Sequence, residues 1–321
     1  MKKKLLVVIL TWNDFKNTSE CINSILHSDI KDTEILLIDN NSSDGSNKQL
    51  IKKYKFKNAY IEKNATKINL IFIQNKNNLG CGLGHNPGYE YAMEKNFEYV
   101  ARIDNDMTVS KDLFSNMIKF LDNNKNIAAV SPKILYYKNP KKIWWMGCQI
   151  GNALKFQTNM RDYGYNLIDS PNLNGVANTD AIAGCASFMR VNVLKKSKLS
   201  DPDFFYGPED IELSYRLKKF GDLKVNLDVK IYHKVTQSFK SHHKPRRIYF
   251  EYKYRLLLIK KIGSFSDKFF GYVISIIKYI LYCLLFYNLN QRNKIIPVGR
   301  ALIHFFIFRR LGEYDRKFNS E

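Results

Sequence analysis

Acid is what this sequence is short of: 51 Lys and Arg face only 30 Asp and Glu over 321 residues, a formal charge of +21. An imbalance of that size calls for a polyanionic partner, and nucleic acid, a membrane surface or nucleotide substrates all qualify. No RRM or zinc-finger module accompanies the charge, which gathers beside apolar aromatic residues, so nucleic acid is not the expected partner. Cysteine is scarce too. Cys21, Cys81, Cys148, Cys185 and Cys283 are odd in number and far apart, with no CxxC pair. That excludes a disulfide framework or a zinc site and suits a reducing compartment. Long apolar runs are missing from the first half. Three lysines precede Leu5–Leu10, but this run is six residues long and leads into Thr11-Trp12-Asn13-Asp14 without a small-residue cleavage site. It reads as a buried parallel strand, not as a signal peptide. There is no internal repeat or low-complexity tract. With 45% hydrophobic and 25% charged residues the chain can bury a real core, and its length suits about two domains.

The charge is unevenly placed. Residues 1–210 carry 28 basic and 22 acidic side chains, and residues 211–321 carry 23 and 8. The basic third also holds the most apolar stretch, Phe269–Tyr287, 19 residues interrupted only by Lys278, and a second patch, Ala301–Phe308, closed by Arg309-Arg310. A spanning helix needs about 20 apolar residues, and a central lysine costs roughly 2.5–3.5 kcal/mol. A basic, aromatic-rich helical pair lying in the membrane interface avoids that cost. A division near residue 240 follows, with an α/β domain over 1–240 and a basic, apolar helical extension over 241–321.

In the first part, strand-like runs (LLVVIL, EILLID, INLIFI, YVARID, IAAVSP) alternate with amphipathic stretches such as Asn17–His27 and Leu113–Leu121, the pattern of a parallel sheet. Ligands of such sheets bind at the carboxyl ends of the strands. The residues there are Thr11 and Asn13 after the first run, Asp39-Asn40-Asn41-Ser42-Ser43-Asp44-Gly45 after the second, Asn78 and Gly80 after the third, and Asp104-Asn105-Asp106 after the fourth. Gly80-Cys81-Gly82-Leu83-Gly84 is GxGxG, not the GxGxxG of a dinucleotide site; its glycines allow close backbone approach to a ligand or start the helix through Asn86–Met93. Asp104 and Asp106, two carboxylates at i and i+2, suit a hard divalent metal, Mg²⁺ or Mn²⁺, that also binds substrate phosphates. A second acidic group, Glu209-Asp210, follows Pro208 at the start of ELSYRLKKFG; a carboxylate held there is a capping residue or a general base. His233 ends the run Val225–Ile231 and is a candidate third metal ligand.

Taken in order, LLVVILTWND, EILLIDNNSSDGS, NKNNLGCGLGHNPGYEYAM, YVARIDNDMTVSKDLF, IAGCASFMRVNVL, FFYGPEDIELSYRLKKFG and VKIYHKVTQS resemble family 2 glycosyltransferases of the GT-A fold, in particular the rhamnosyltransferase-like branch. The resemblance covers about residues 4–240. It implies an α/β nucleotide-diphospho-sugar transferase fold with a mostly parallel central sheet flanked by helices. Thr11, Asn13, Asp39 and Asn41, with Asn78 and Gly80, would bind the nucleotide of a UDP- or dTDP-sugar. Asp104 and Asp106, completed by His233, would hold the metal. Asp210 would be the base of an inverting displacement beside Glu209, and Gly184 and Cys185 of the strand Ala181–Val191 would line the acceptor side. The expected partners are a nucleotide-sugar donor, a saccharide or polyprenyl-linked acceptor, and the cytoplasmic face of the cell membrane through the C-terminal region. Two features depart from the pattern: Pro208 stands where a larger acidic or aromatic residue is usual, and Tyr136–Asn178 matches nothing specific and is the place for acceptor choice. A sugar-nucleotide nucleotidyltransferase would need a glycine-rich loop after the first strand, where this chain has TWNDFKN.

Overall fold

A computed structural model of the chain describes residues 3–30, 33–56, 60–63, 66–150, 160–235, 245–287, 292–307 and 315. The expected division near residue 240 and Thr236-Gln237-Ser238 lie outside the described residues, as do Phe308, Arg309 and Arg310.

Strand β1 (Lys3–Thr11) lies at the centre of an eleven-stranded sheet. It pairs in parallel with β2 (Thr33–Asp39) on one side and β5 (Phe97–Ile103) on the other, and β2 pairs in parallel with β4 (Thr66–Gln74). Antiparallel β3 (Tyr60–Lys63) closes that edge. Beyond β5 the sheet turns mixed. β12 (Ala186–Arg190) runs antiparallel between β5 and β7 (Ile127–Tyr136). Next comes β13 (Asp222–His233), parallel to β7, carrying antiparallel β6 (Met107–Val109) and β11 (Val176–Asn178). β8 (Asn139–Trp145) pairs with β7, and β9 (Cys148–Ile150) with β10 (Met160–Asp162) forms a separate ribbon.

The unbroken apolar run of β1 has its reason in this architecture: side chains alternate across a sheet covered on both faces. Leu5, Val7 and Ile9 enter one core, with Ile35 and Leu37 of β2, beneath α1 (Phe15–Leu26), α2 (Ser46–Tyr54) and α4 (Leu113–Asn123). Leu6 and Val8 enter the other with Leu36 and Ile38, beneath α3 (Gly80–Glu94), α5 (Val191–Ser197) and α6 (Glu209–Leu217). The Asp14 carboxylate starts α1 by accepting from the Asn17 amide at 3.1 Å, a side-chain cap.

Three further helices, α7 (Pro245–Ile262), α8 (Phe265–Tyr287) and α9 (Arg292–Ile307), form the C-terminal extension. It shares a core with the sheet domain: Phe204, Phe205 and Ile211 pack with Phe250, Tyr254, Leu257 and Val298. Within it, buried Lys253 and Tyr254 both reach the buried Asp315 carboxylate. No helix among the described residues is long and apolar enough to cross a membrane.

The glycine-rich stretch serves packing. Gly80 opens α3 at φ +77°, and a Cβ there would overlap the Phe205 carbonyl oxygen, which accepts from the Cys81 amide at 3.0 Å. The stretch thus starts the helix, the second of the two expectations, and at Gly80 it lies close to the chain itself. Gly80→Ala, strained by its φ and blocked by backbone, is expected to cost about 1–3 kcal/mol, read as a lowered Tm.

Candidate functional site

The strand ends converge as parallel topology requires, and short polar side chains hold their loops in place. At the end of β1 the Thr11 hydroxyl lies 2.7 Å from that of Thr18, both buried. Asn13, at φ 50°, ties the first two loops: its amide donates to Ser42 Oγ at 2.8 Å and its Oδ1 accepts from the Ser43 amide at 2.8 Å. Asp39 ends β2 fully buried; Oδ2 accepts from the Ser42 amide at 3.0 Å, whereas Oδ1 meets no partner among the described residues. A buried carboxylate oxygen without a donor is costly to the free protein and is a place for a ligand N–H. Asn41 follows at φ 65°, a conformation asparagine tolerates. Asn78 is used internally, accepting from Asn40 Nδ2 at 2.9 Å and from the Gly80 amide at 3.0 Å.

Asp104-Asn105-Asp106 turns from β5 into β6. The Asp104 amide donates to the Cys185 carbonyl at 2.9 Å, so Cys185 contributes its backbone, and burial pushes its thiol well up. Asn105 reaches back to Thr18 Oγ1 at 3.1 Å, locking the turn onto α1. Asp106 Oδ2 lies 3.2 Å from Nε2 of His233, the last residue of β13, and the His233 ring meets Trp144 edge-on at 4.4 Å. The register explains that pairing, since β6 runs antiparallel to β13 with Met107 opposite His233. Asp104 also lies beside two groups on the other side of the turn. Its Oδ1 lies 3.6 Å from Arg102 Nε and 3.9 Å from His85 Nε2, and burial raises its pKa against the pull of Arg102. Of the expected set, Asp106 and His233 come within hydrogen-bond distance, and Asp104 lies beside Arg102 within electrostatic reach of both, although no three such groups are spaced as a closed metal cluster among the described residues.

Glu209 and Asp210 open α6, where the positive end of the helix favours carboxylates. Asp210 is oriented by two backbone donors, the Gly184 amide to Oδ2 at 3.0 Å and the Ile211 amide to Oδ1 at 2.9 Å. Gly184 has to be glycine, because a Cβ would stand 2.7 Å from Asp210 Oδ2. Burial raises the Asp210 pKa while Arg102 opposes the rise. Glu209 is buried beside Arg102, and desolvation pushes its pKa up to about 7.

Arg102 is the residue that sequence reasoning passed over. Its Nη2 donates to Glu209 Oε1 at 3.1 Å and lies 2.9 Å from Cys81 Sγ, with the side chain buried. It thus joins β5, α3 and α6 under the two acidic motifs. The available signal was a guanidinium inside the apolar strand YVARID, since a buried charge requires a partner. Neutral His85 was missed as well. Burial keeps its pKa well below the ordinary value, Nδ1 faces the Cys81 carbonyl at 2.8 Å, and Nε2 has no partner among the described residues. Arg102→Met is expected to destabilise the fold by about 3–5 kcal/mol, because Glu209 loses its buried counter-ion. The double variant with Glu209→Gln should recover a good part of that loss, as denaturant midpoints would show.

The description "Glycosyl transferase family 2" matches residues 6–194, more than half of the chain. The chain belongs to glycosyl transferase family 2. Solved structures share its fold. Staphylococcus aureus TarS superposes with a TM-score of 0.52 at 17% identity, over 86% of this chain and 43% of TarS. The 1–349 fragment of TarS gives 0.52 at 16%, over 99% and 78%. GalNAc-T7 crystallised with UDP, GalNAc and Mn²⁺ gives 0.58 at 15%, over 84% and 54%. This chain therefore spans less than half the length of full TarS. No curated protein matches it by sequence. This family 2 member has the GT-A architecture: a central sheet flanked by helices, and a helical extension after it.

Proposed function

We propose that this glycosyltransferase moves a sugar from a nucleotide-diphosphate donor to a saccharide or polyprenyl-linked saccharide in cell-surface glycan synthesis, with inversion at the anomeric carbon. The observation that carries the reading is the double anchorage of Asp210 by the Gly184 and Ile211 amides. A carboxylate held by two fixed backbone donors, with no lysine or arginine paired to it among the described residues, keeps lone pairs for an incoming hydroxyl. Residues 1–240 form the catalytic part in this reading and 241–321 the extension.

The donor end lies over β1 and β2. The unpartnered Asp39 Oδ1 suits the ring N–H of a pyrimidine, which favours a UDP- or dTDP-sugar over a GDP-sugar. Solved TarS complexes with UDP and with UDP-GlcNAc accord with the first. Transfer of rhamnose is supported only by the motif resemblance. Thr11, Asn13, Asn41, Asn78 and Gly80 act by shaping the nucleotide loops. The unpartnered Nε2 of His85, facing Asp104, suits a hydroxyl of the donor.

The pair Asp106 Oδ2 and His233 Nε2, 3.2 Å apart, has the spacing of two neighbouring ligands at roughly 2.1 Å from one ion. Asp106 and His233, with Asp104 nearby, would hold Mg²⁺ or Mn²⁺. Bound there, such an ion would offset charge developing on the departing nucleoside diphosphate. Asp210 takes the proton of the acceptor hydroxyl as that oxygen attacks the anomeric carbon from the face opposite the nucleotide. Arg102 holds Glu209 and the start of α6, and so the position of Asp210. The insert between Tyr136 and Asn178, pinned by Asp169 to Lys133 and Lys230 at 2.6 Å each, is the place for acceptor choice.

The test is nucleoside diphosphate release from a panel of UDP-, dTDP- and GDP-sugars, with Mg²⁺, Mn²⁺ or EDTA. Release from one donor, increased by an acceptor and accompanied by an inverted product anomer, would bear the proposal out. Retained configuration would sink the single-displacement mechanism.

A further inference from the structure

Helix α8 turns an apolar face outward. Phe265, Phe269, Val273, Ile276, Ile280 and Leu284 recur at spacings of three and four, one side of a helix about 35 Å long. All are exposed, Phe265 by 88% and Leu284 by 64%. The opposite side is occupied: Gly271 lies against Ile259 of α7, and Tyr279 against Gly299 of α9. A second exposed row, Ile296, Ile303 and Ile307, runs along α9 with Arg300 within it. Exposed Phe306 of α9 meets the Tyr272 ring at 6.0 Å, so the two rows adjoin. Apolar patches of that extent are rare on a surface that faces only water.

Charge decides what covers them. The three C-terminal helices hold eleven Lys and Arg against two acids, Glu251 and Asp267. Lys268 and Lys278 flank the apolar row, half-buried, with exposed Lys260 at the end of α7. A second copy docking through a twofold axis would set this basic rim against itself, which is unfavourable. An anionic lipid surface complements both features: acyl chains accept the apolar row and headgroups the basic rim.

We propose that the α8–α9 face is a docking surface for an anionic bilayer, with α8 lying in the headgroup boundary and not crossing it. The inference deepens the reading above and rests on it for one consequence. Phe205 and Tyr206, just before Glu209-Asp210, pack on Phe250 of α7, so the docked helices are tied to the acceptor side of the site. That arrangement serves an acceptor carried by a membrane lipid.

The experiment is co-sedimentation of the full chain with phosphatidylcholine vesicles, with and without phosphatidylglycerol. Light scattering without lipid and donor hydrolysis in solution run beside it. The expected result is binding that needs the anionic lipid, weakens in high salt, and falls on the order of tenfold or more in Ile276→Glu/Ile280→Glu. Hydrolysis should be unchanged in that variant, which shows it folded. No binding to either vesicle, equal binding to both, or a stable oligomer that the variant dissociates would each overturn the proposal. Failure of donor hydrolysis alone would instead count against the catalytic reading and leave vesicle binding standing.

Discussion

Asp210→Asn is expected to keep donor affinity and to lower turnover about 10²–10⁴-fold, the contribution of a positioned general base. The amide is nearly isosteric, and its Oδ1 can still accept one of the two backbone hydrogen bonds from Gly184 and Ile211. What it loses is the capacity to take a proton. Turnover should therefore fall with donor KM little changed, the signature of an interaction made in the transition state. Near wild-type transfer by the variant would remove Asp210 from the role of base. The pH profile of the wild type offers a second check. Burial raises the Asp210 pKa, so the ionised base is lost on acidification at a higher pH than for an ordinary aspartate. Glu209 titrates nearby, at about 7. The acidic limb of kcat/KM should thus lie above the usual carboxylate range, and its apparent values belong to the pair. A limb near pH 4 would show that neither carboxylate is desolvated in the working enzyme.

The second large effect is expected at the other end of the donor. Asp106→Ala should reduce transfer about 10²–10³-fold, the scale of losing one element of electrostatic stabilisation at the leaving group. His233→Ala should weaken metal affinity more than it weakens donor affinity, since the imidazole is one half of the pair and is fixed edge-on by Trp144. The measurement is nucleoside diphosphate release titrated with Mn²⁺: each variant should need more metal for its half-maximal rate. If Asp106→Ala and the wild type respond to Mn²⁺ alike, the carboxylate does not hold the ion. Asp104→Ala is the informative companion. Asp104 lies beside Arg102 and His85 and within electrostatic reach of Asp106 and His233, so a raised Mn²⁺ requirement in this variant would mark it as a third ligand, and a raised donor KM alone would not.

Much of this molecule was legible in one dimension. The alternation of apolar runs and amphipathic stretches determined a sheet covered on both faces, because an uninterrupted run such as Leu5–Ile9 has no other way to hide both of its sides. The polar residues ending those runs marked the edge that carries the candidate site, because parallel strands present their carboxyl ends together. The order of the motifs also carried the family. Composition alone located the basic, apolar extension, although not its attachment.

Tertiary structure decided which of the marked residues meet. Asp104 and Asp106 are equivalent as a sequence motif, yet the turn sends one to Arg102 and the other to His233, 127 residues away, because β6 adds to β13 in one register. The glycine-rich stretch, read as a close approach to a ligand or as a helix start, does open α3, and only the structure shows its contacts with the Phe205 loop and, at Gly88, with Val8 of β1. Arg102 was invisible as a site residue because its meaning depends on Glu209, brought beside it across 107 positions. Local pattern follows from local sterics and burial. The pairing of charges across the core depends on strand order and register, which no single segment encodes.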